Sequence, residues 1–60
     1  MKDKILHEMR RLRRFEQIAL NSIIVDNLNE IEIKFIVEKI FEASDMIVRL
    51  QKVLKELENR

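Results

Sequence analysis

The chain has 60 residues, with 12 Lys and Arg against 11 Asp and Glu, and a formal net charge of +1. A chain of this length forms one domain at most and buries only about 60% of the surface that its unfolded form exposes. It has no Cys and one His, which excludes disulfides and thiolate metal sites and disfavours a histidine-based site within one chain. Small folds need an additional stabilising device, and association with other helices is the one that remains.

Gly and Pro are both absent. A β protein of this size needs tight turns, which normally use residues that tolerate positive φ, so the composition predicts an all-α chain with very few connections. No apolar run approaches the roughly 20 residues of a membrane span, and the start of the chain lacks the apolar region of a signal peptide. We therefore expect a cytoplasmic protein that does not enter a membrane.

The first predicted helix covers about residues 2–25 and has no strong cap at its start. Its apolar residues recur at helical spacing, and they are Ile5, Met9, Leu12, Phe15, Ala19 and Ile23. A turn is expected at about residues 26–29, where Asp26, Asn27 and Asn29 provide turn chemistry. Both Asn29 with Glu32 and Asn27 with Glu30 have the spacing of a capping box at the start of the second helix.

The second predicted helix covers about residues 30–58 and has the clearest pattern in the chain. Eight positions alternate in spacings of three and four residues, which is the heptad pattern of a helix that lies along another helix. These residues, called the seam below, are Ile33, Ile36, Ile40, Ala43, Ile47, Leu50, Leu54 and Leu57. Ser44 could begin a third helix, but the pattern passes through it without a change of phase.

The apolar surface of the second helix is too wide for a single neighbour. Together with its flanks, the seam covers roughly 240° of the helix, compared with about 100° for a helix on the surface of a globule. The flanking residues are Val37, Phe41 and Val48 on one side, and Met46 and Val53 on the other. We therefore expect an antiparallel hairpin of two long helices, in a single domain of residues 1–60, that is completed as a dimeric four-helix bundle.

The expected oligomer interface consists mainly of seam residues. They are Ile33, Ile36, Ile40, Phe41, Ile47, Leu50, Leu54 and Leu57. A homodimer is favoured, although a different chain could supply the second hairpin. The seam does not distinguish a dimer from a tetramer or define the orientation of the bundle.

A basic segment in the first helix is the clearest polar feature. Residues 1–14 contain six basic and two acidic residues, a net charge of +4. The predicted contacts with a partner are His7, Arg10, Arg11, Arg14 and Ile18. Such a stripe suits an acidic protein surface or the phosphates of a nucleic acid. It also fits a solvated face whose arginine stems cover the edge of the core.

Glu16 lies near the centre of the apolar face of the first helix. Because burying a lone carboxylate is costly, we expect it to reach water or to pair with a cation such as Arg13 or Lys39. No pattern of paired carboxylates, ligands or nucleophiles suggests an enzyme, a cofactor or a small-molecule substrate. The sequence predicts a self-associating helical module that regulates or scaffolds a partner protein. The alternative is a dimeric nucleic-acid-binding regulator that uses the basic stripe at residues 10–14.

Overall fold

In the computed structural model, which describes residues 1–59, the chain forms two α-helices, α1 (Lys2–Val25) and α2 (Glu30–Glu58). The helices run antiparallel and pack against each other along their length. At the open end, Lys2 Nζ lies 3.5 Å from Glu58 Oε1, while a four-residue turn closes the other end. The predicted all-α hairpin of two long helices is confirmed.

The side of α1 that faces α2 is a heptad stripe in its own right. Its residues are at most half exposed, and they are Ile5, Met9, Leu12, Glu16, Ala19 and Ile23. Phe15 is 43% exposed, so it does not occupy this stripe as the apolar pattern suggested. The stripe has the carboxylate of Glu16 in its place, because residues 12 and 16 are one turn apart on the same side.

The start of α2 is fixed by a capping box. Asn29 Oδ1 accepts a hydrogen bond from the Glu32 backbone N–H at 2.8 Å, and the Asn29 N–H donates to Glu32 Oε1 at 3.4 Å. Of the two spacings in the sequence, the structure therefore uses Asn29 with Glu32. From there α2 passes through Ser44 without a break, as the uninterrupted seam predicts.

The connection between the helices needs no left-handed residue. Asp26 ends α1 in an extended conformation at φ −83°, and Asn29 precedes α2 at φ −81°. Ser22 Oγ donates to Asp26 Oδ2 at 2.7 Å, and the Leu28 N–H donates to the Asp26 carbonyl at 2.9 Å. No residue in 1–59 has a positive φ, so the chain reverses without glycine.

The core of the hairpin is thin. Among residues 1–59, only Met9, Ala19, Ala43 and Ile47 are buried, each at 5–8% exposure. Two of the four are alanines, whose small side chains allow the helix axes to approach closely. A single layer of contacts between two helices leaves the outer flanks of both without a neighbour.

Candidate interaction site

The seam of α2 packs against α1 within the hairpin. All eight seam residues are buried or half-buried, and Ala43 and Ile47 are the most buried. Phe41, the one member of the predicted oligomer interface outside the seam, is 68% exposed. Half-buried side chains in a hairpin retain area that a second hairpin can cover, so their role in an oligomer stays a prediction. The fully available surface is on the flanks.

One flank contains two adjoining apolar grooves, which together form what we call the groove face. The first groove, of about 520 Å³, lies between Leu12 and Phe15 on α1 and Ala43 and Met46 on α2. The second, of about 370 Å³, is lined by residues that include Phe15, Ile18, Phe35 and Ile36. Phe15 and Lys39 border both grooves, so the two form one continuous surface.

The polar groups at the groove face are arranged as neutral pairs at its rim. Arg11 Nη2 lies 2.6 Å from Glu8 Oε1, and Lys39 Nζ lies 3.4 Å from Glu42 Oε2. Lys39 Nζ also lies 5.4 Å from the ring centroid of Phe35. Exposed pairs of this kind contribute about 0–1 kcal/mol each. Their main effect is to hold positive and negative charge beside an apolar surface.

The other flank, called the opposite face below, is also apolar but has a different charge pattern. Residues seven apart share a stripe on a packed helix, so Phe41 and Val48 lie on one stripe of α2. Leu20 lies beside the stripe of α1 that faces α2. These three side chains are 50–68% exposed. The two stripes of each helix that form this flank contain Arg10, Arg13, Lys34 and Lys55. These stripes have no acidic residue over residues 6–24 or 34–55, whereas Glu38 and Asp45 lie on the next stripe of α2, beyond Phe41 and Val48.

The predicted partner contacts divide between different surfaces. His7, Arg10, Arg11, Arg14 and Ile18 are all exposed. Arg11 borders the first groove and Ile18 the second, whereas the other three line neither groove. Within residues 1–59, Arg10, Arg13 and Arg14 have no carboxylate within ion-pair distance, whereas Arg11 pairs with Glu8.

The sequence pattern did not predict that the residues of the groove face form one surface. Phe15 was expected on the apolar side of the first helix, and Phe35 was assigned to no particular surface; they are 43% and 59% exposed and lie on the same flank of the hairpin. Their spacing alone does not show this, because residues on different helices share a flank only once the register between the helices is known. The available signal was that Phe15 is on the stripe next to the contact side of α1, and that Phe35 is one stripe further from the contact side of α2, beside Lys39.

Glu16 lies in the contact between the helices. Its Oε1 atom is buried and has no hydrogen-bond partner within residues 1–59. No ion pair in the part of the chain described joins Glu16 to Arg13 or Lys39, and Lys39 pairs with Glu42 instead. Of the two expectations, pairing with Arg13 or Lys39 is not formed within residues 1–59; the side chain is half-buried, with its Oε1 atom enclosed in the contact between the helices.

Within residues 1–59, no group of three or more His, Asp or Glu side chains is placed to hold a metal ion. Over the same residues, neither helix has an apolar stretch sufficient to cross a bilayer. The chain matches no family model, and it has no match among the curated proteins or the solved structures.

Proposed function

We propose that this chain is a self-associating helical interaction module that acts by regulating or scaffolding a partner protein, without catalysis. In this proposal two hairpins pack as a homodimeric four-helix bundle. The bundle covers part of the apolar surface that one hairpin leaves exposed, and the charged surface outside the dimer contact binds the partner.

The observation that carries the proposal is an excess of accessible surface. The chain has a mass of 7.3 kDa and exposes 5295 Å². A folded monomeric protein of that mass exposes about 4,200 Å² by the usual scaling with size. The excess is about 1,100 Å² per chain, and a standard interface buries about 800 Å² per partner. An interface of standard size with one further copy would therefore cover about three quarters of the excess.

The exposed surface is apolar at many positions. The exposed large hydrophobic residues include Phe15, Phe35 and Phe41, at 43%, 59% and 68%. Isolated exposed apolar side chains are normal, but contiguous apolar patches mark interaction sites. The grooves make Phe15 and Phe35 part of such a patch.

Solution mass tests the self-association directly. At about 100 µM, sedimentation equilibrium is expected to give twice the chain mass of 7.3 kDa, and the unfolding temperature is expected to rise with protein concentration because dimerisation is linked to folding. A mass of one chain at every soluble concentration, with a melting temperature independent of concentration, would contradict the proposal.

For the partner contact we propose the basic stripe of α1 outside the grooves, which includes His7, Arg10 and Arg14. Arg10 and Arg14 have no acidic neighbour within ion-pair distance in residues 1–59, so their guanidinium groups are available for an external anion. Arginine forms bidentate contacts with carboxylates and is common in the centres of protein interfaces. An acidic protein surface fits this stripe.

The same unpaired arginines support the alternative, a dimeric nucleic-acid-binding regulator. In that case affinity for a generic duplex or hairpin RNA should fall steeply with salt, and Arg10→Ala with Arg14→Ala should flatten the slope by about two charges. The matched control is Arg49→Ala with Lys52→Ala, which removes the same charge from a different side of the hairpin. The absence of binding to nucleic acid at about 50 mM salt would exclude the alternative and leave the acidic protein partner.

A further inference from the structure

On the basis of the proposed self-association, we infer that the second copy of the chain docks on the groove face, on the surface formed by Phe15, Ile18, Phe35 and Met46. The hairpin has two apolar flanks, and the area that a dimer must cover does not by itself choose between them. The charges that surround each flank distinguish the two as docking surfaces.

The groove face is electrically self-complementary. The first groove is bordered by two acids, Glu8 and Glu42, and two bases, Arg11 and Lys39. In a symmetric dimer the same patch occurs on both sides of the interface. A patch with equal numbers of both signs can place each charge of one copy near an opposite charge of the other, without a net repulsion between the copies.

The opposite face lacks this property. The two stripes of each helix that form this flank contain Arg10, Arg13 and Lys34, with no acid over residues 6–24 and 34–55; the acids nearest to Phe41 lie on the next stripe outward. Two copies that met through this face would bring these cations together in a partly dehydrated interface, where like charges are strongly unfavourable. This surface instead fits a partner of opposite charge.

The grooves also provide the shape that an interface requires. Two hollows of about 520 and 370 Å³ adjoin at Phe15, and apolar side chains of a second hairpin can fill them. Aromatic residues in such positions contribute most to association, because they bury large areas in well-packed pockets. Phe35 is 59% exposed in the single hairpin and therefore has area to lose on docking.

Two phenylalanines of α2 give a matched test, because Phe35 lies on the groove face and Phe41 on the opposite face. Both are exposed, at 59% and 68%, and sedimentation equilibrium on the full chain should separate them. We expect Phe35→Asp to weaken the dimer by at least about 30-fold, the effect of removing an interface hot spot. Phe41→Asp should leave the dimer within about threefold of the unsubstituted chain. Far-UV circular dichroism should show unchanged helix content in both variants.

A second pair of variants separates loss of the dimer from loss of folding. Met46 on the first groove and Val48 on the opposite face are 45% and 50% exposed, and Met46→Asp should dissociate the dimer while Val48→Asp should not. If the Phe41 and Val48 variants dissociate, alone or together with the groove variants, the groove face is not the specific surface, although self-association stands. If the unsubstituted chain is a monomer, the proposed function fails and this inference fails with it.

Discussion

The Ile47→Asp variant is expected to lose most of its helix at 25 °C. Ile47 is 8% exposed in the contact between the helices, and burying such a side chain contributes about 1.5–3 kcal/mol. An aspartate there adds the cost of an unpaired buried charge, for a total loss of about 4–5 kcal/mol. At about 0.05–0.15 kcal/mol per residue, a chain of 60 residues has about 3–9 kcal/mol of unfolding free energy. The expected loss is therefore comparable to the total free energy of unfolding.

The neighbouring residue provides the control. Val48 is 50% exposed, so Val48→Asp introduces the same charge one position along α2 and is expected to change the unfolding free energy by no more than about 1 kcal/mol. Far-UV circular dichroism and thermal denaturation measure both variants. If the two melt at the same temperature, Ile47 is not in the contact with α1.

The Glu16→Met variant is expected to be more stable than the unsubstituted chain. The Oε1 atom of Glu16 is buried without a hydrogen-bond partner, and such a group reduces stability by about 1–3 kcal/mol. Methionine has a similar length and a similar helix propensity, so the change mainly removes the polar group. For a domain of this size, each kcal/mol raises the melting temperature by about 4–8 °C. We expect an increase on the order of 10 °C.

Glu38→Met is the control for the loss of charge, because Glu38 is exposed on α2. It is expected to shift the melting temperature by no more than a few degrees. A lower melting temperature for Glu16→Met would show that the carboxylate has a partner, which a second chain would then have to supply.

The heptad seam was sufficient to predict two long helices that pack on each other, because its period identifies the apolar side of α2. It could not identify the neighbour. A side chain such as Ile40 has the same spacing whether it contacts α1 of its own chain or a helix of another, since both packings use the same period. The structure places the seam against α1, and the exposed flanks become the surfaces left for a second chain.

The groove face could not be predicted because it combines residues from two helices. Ile18 appeared to continue the arginine stripe of α1, and only the antiparallel register brings it to the same groove as Phe35. Glu16 was identified from the sequence as a carboxylate on an apolar face, but whether it has a partner depends on where Lys39 points. Lys39 pairs with Glu42 on its own helix, a local choice that spacing leaves open.

The neutral rim of the first groove also affects how quickly two copies meet. With Arg11 and Lys39 offset by Glu8 and Glu42, this surface creates little long-range field to steer one molecule toward the other. Encounter should then proceed at the ordinary rate of oriented collision, about 10⁵–10⁷ M⁻¹s⁻¹, with little dependence on ionic strength. Protein abundance would then decide how fast the assembled state forms.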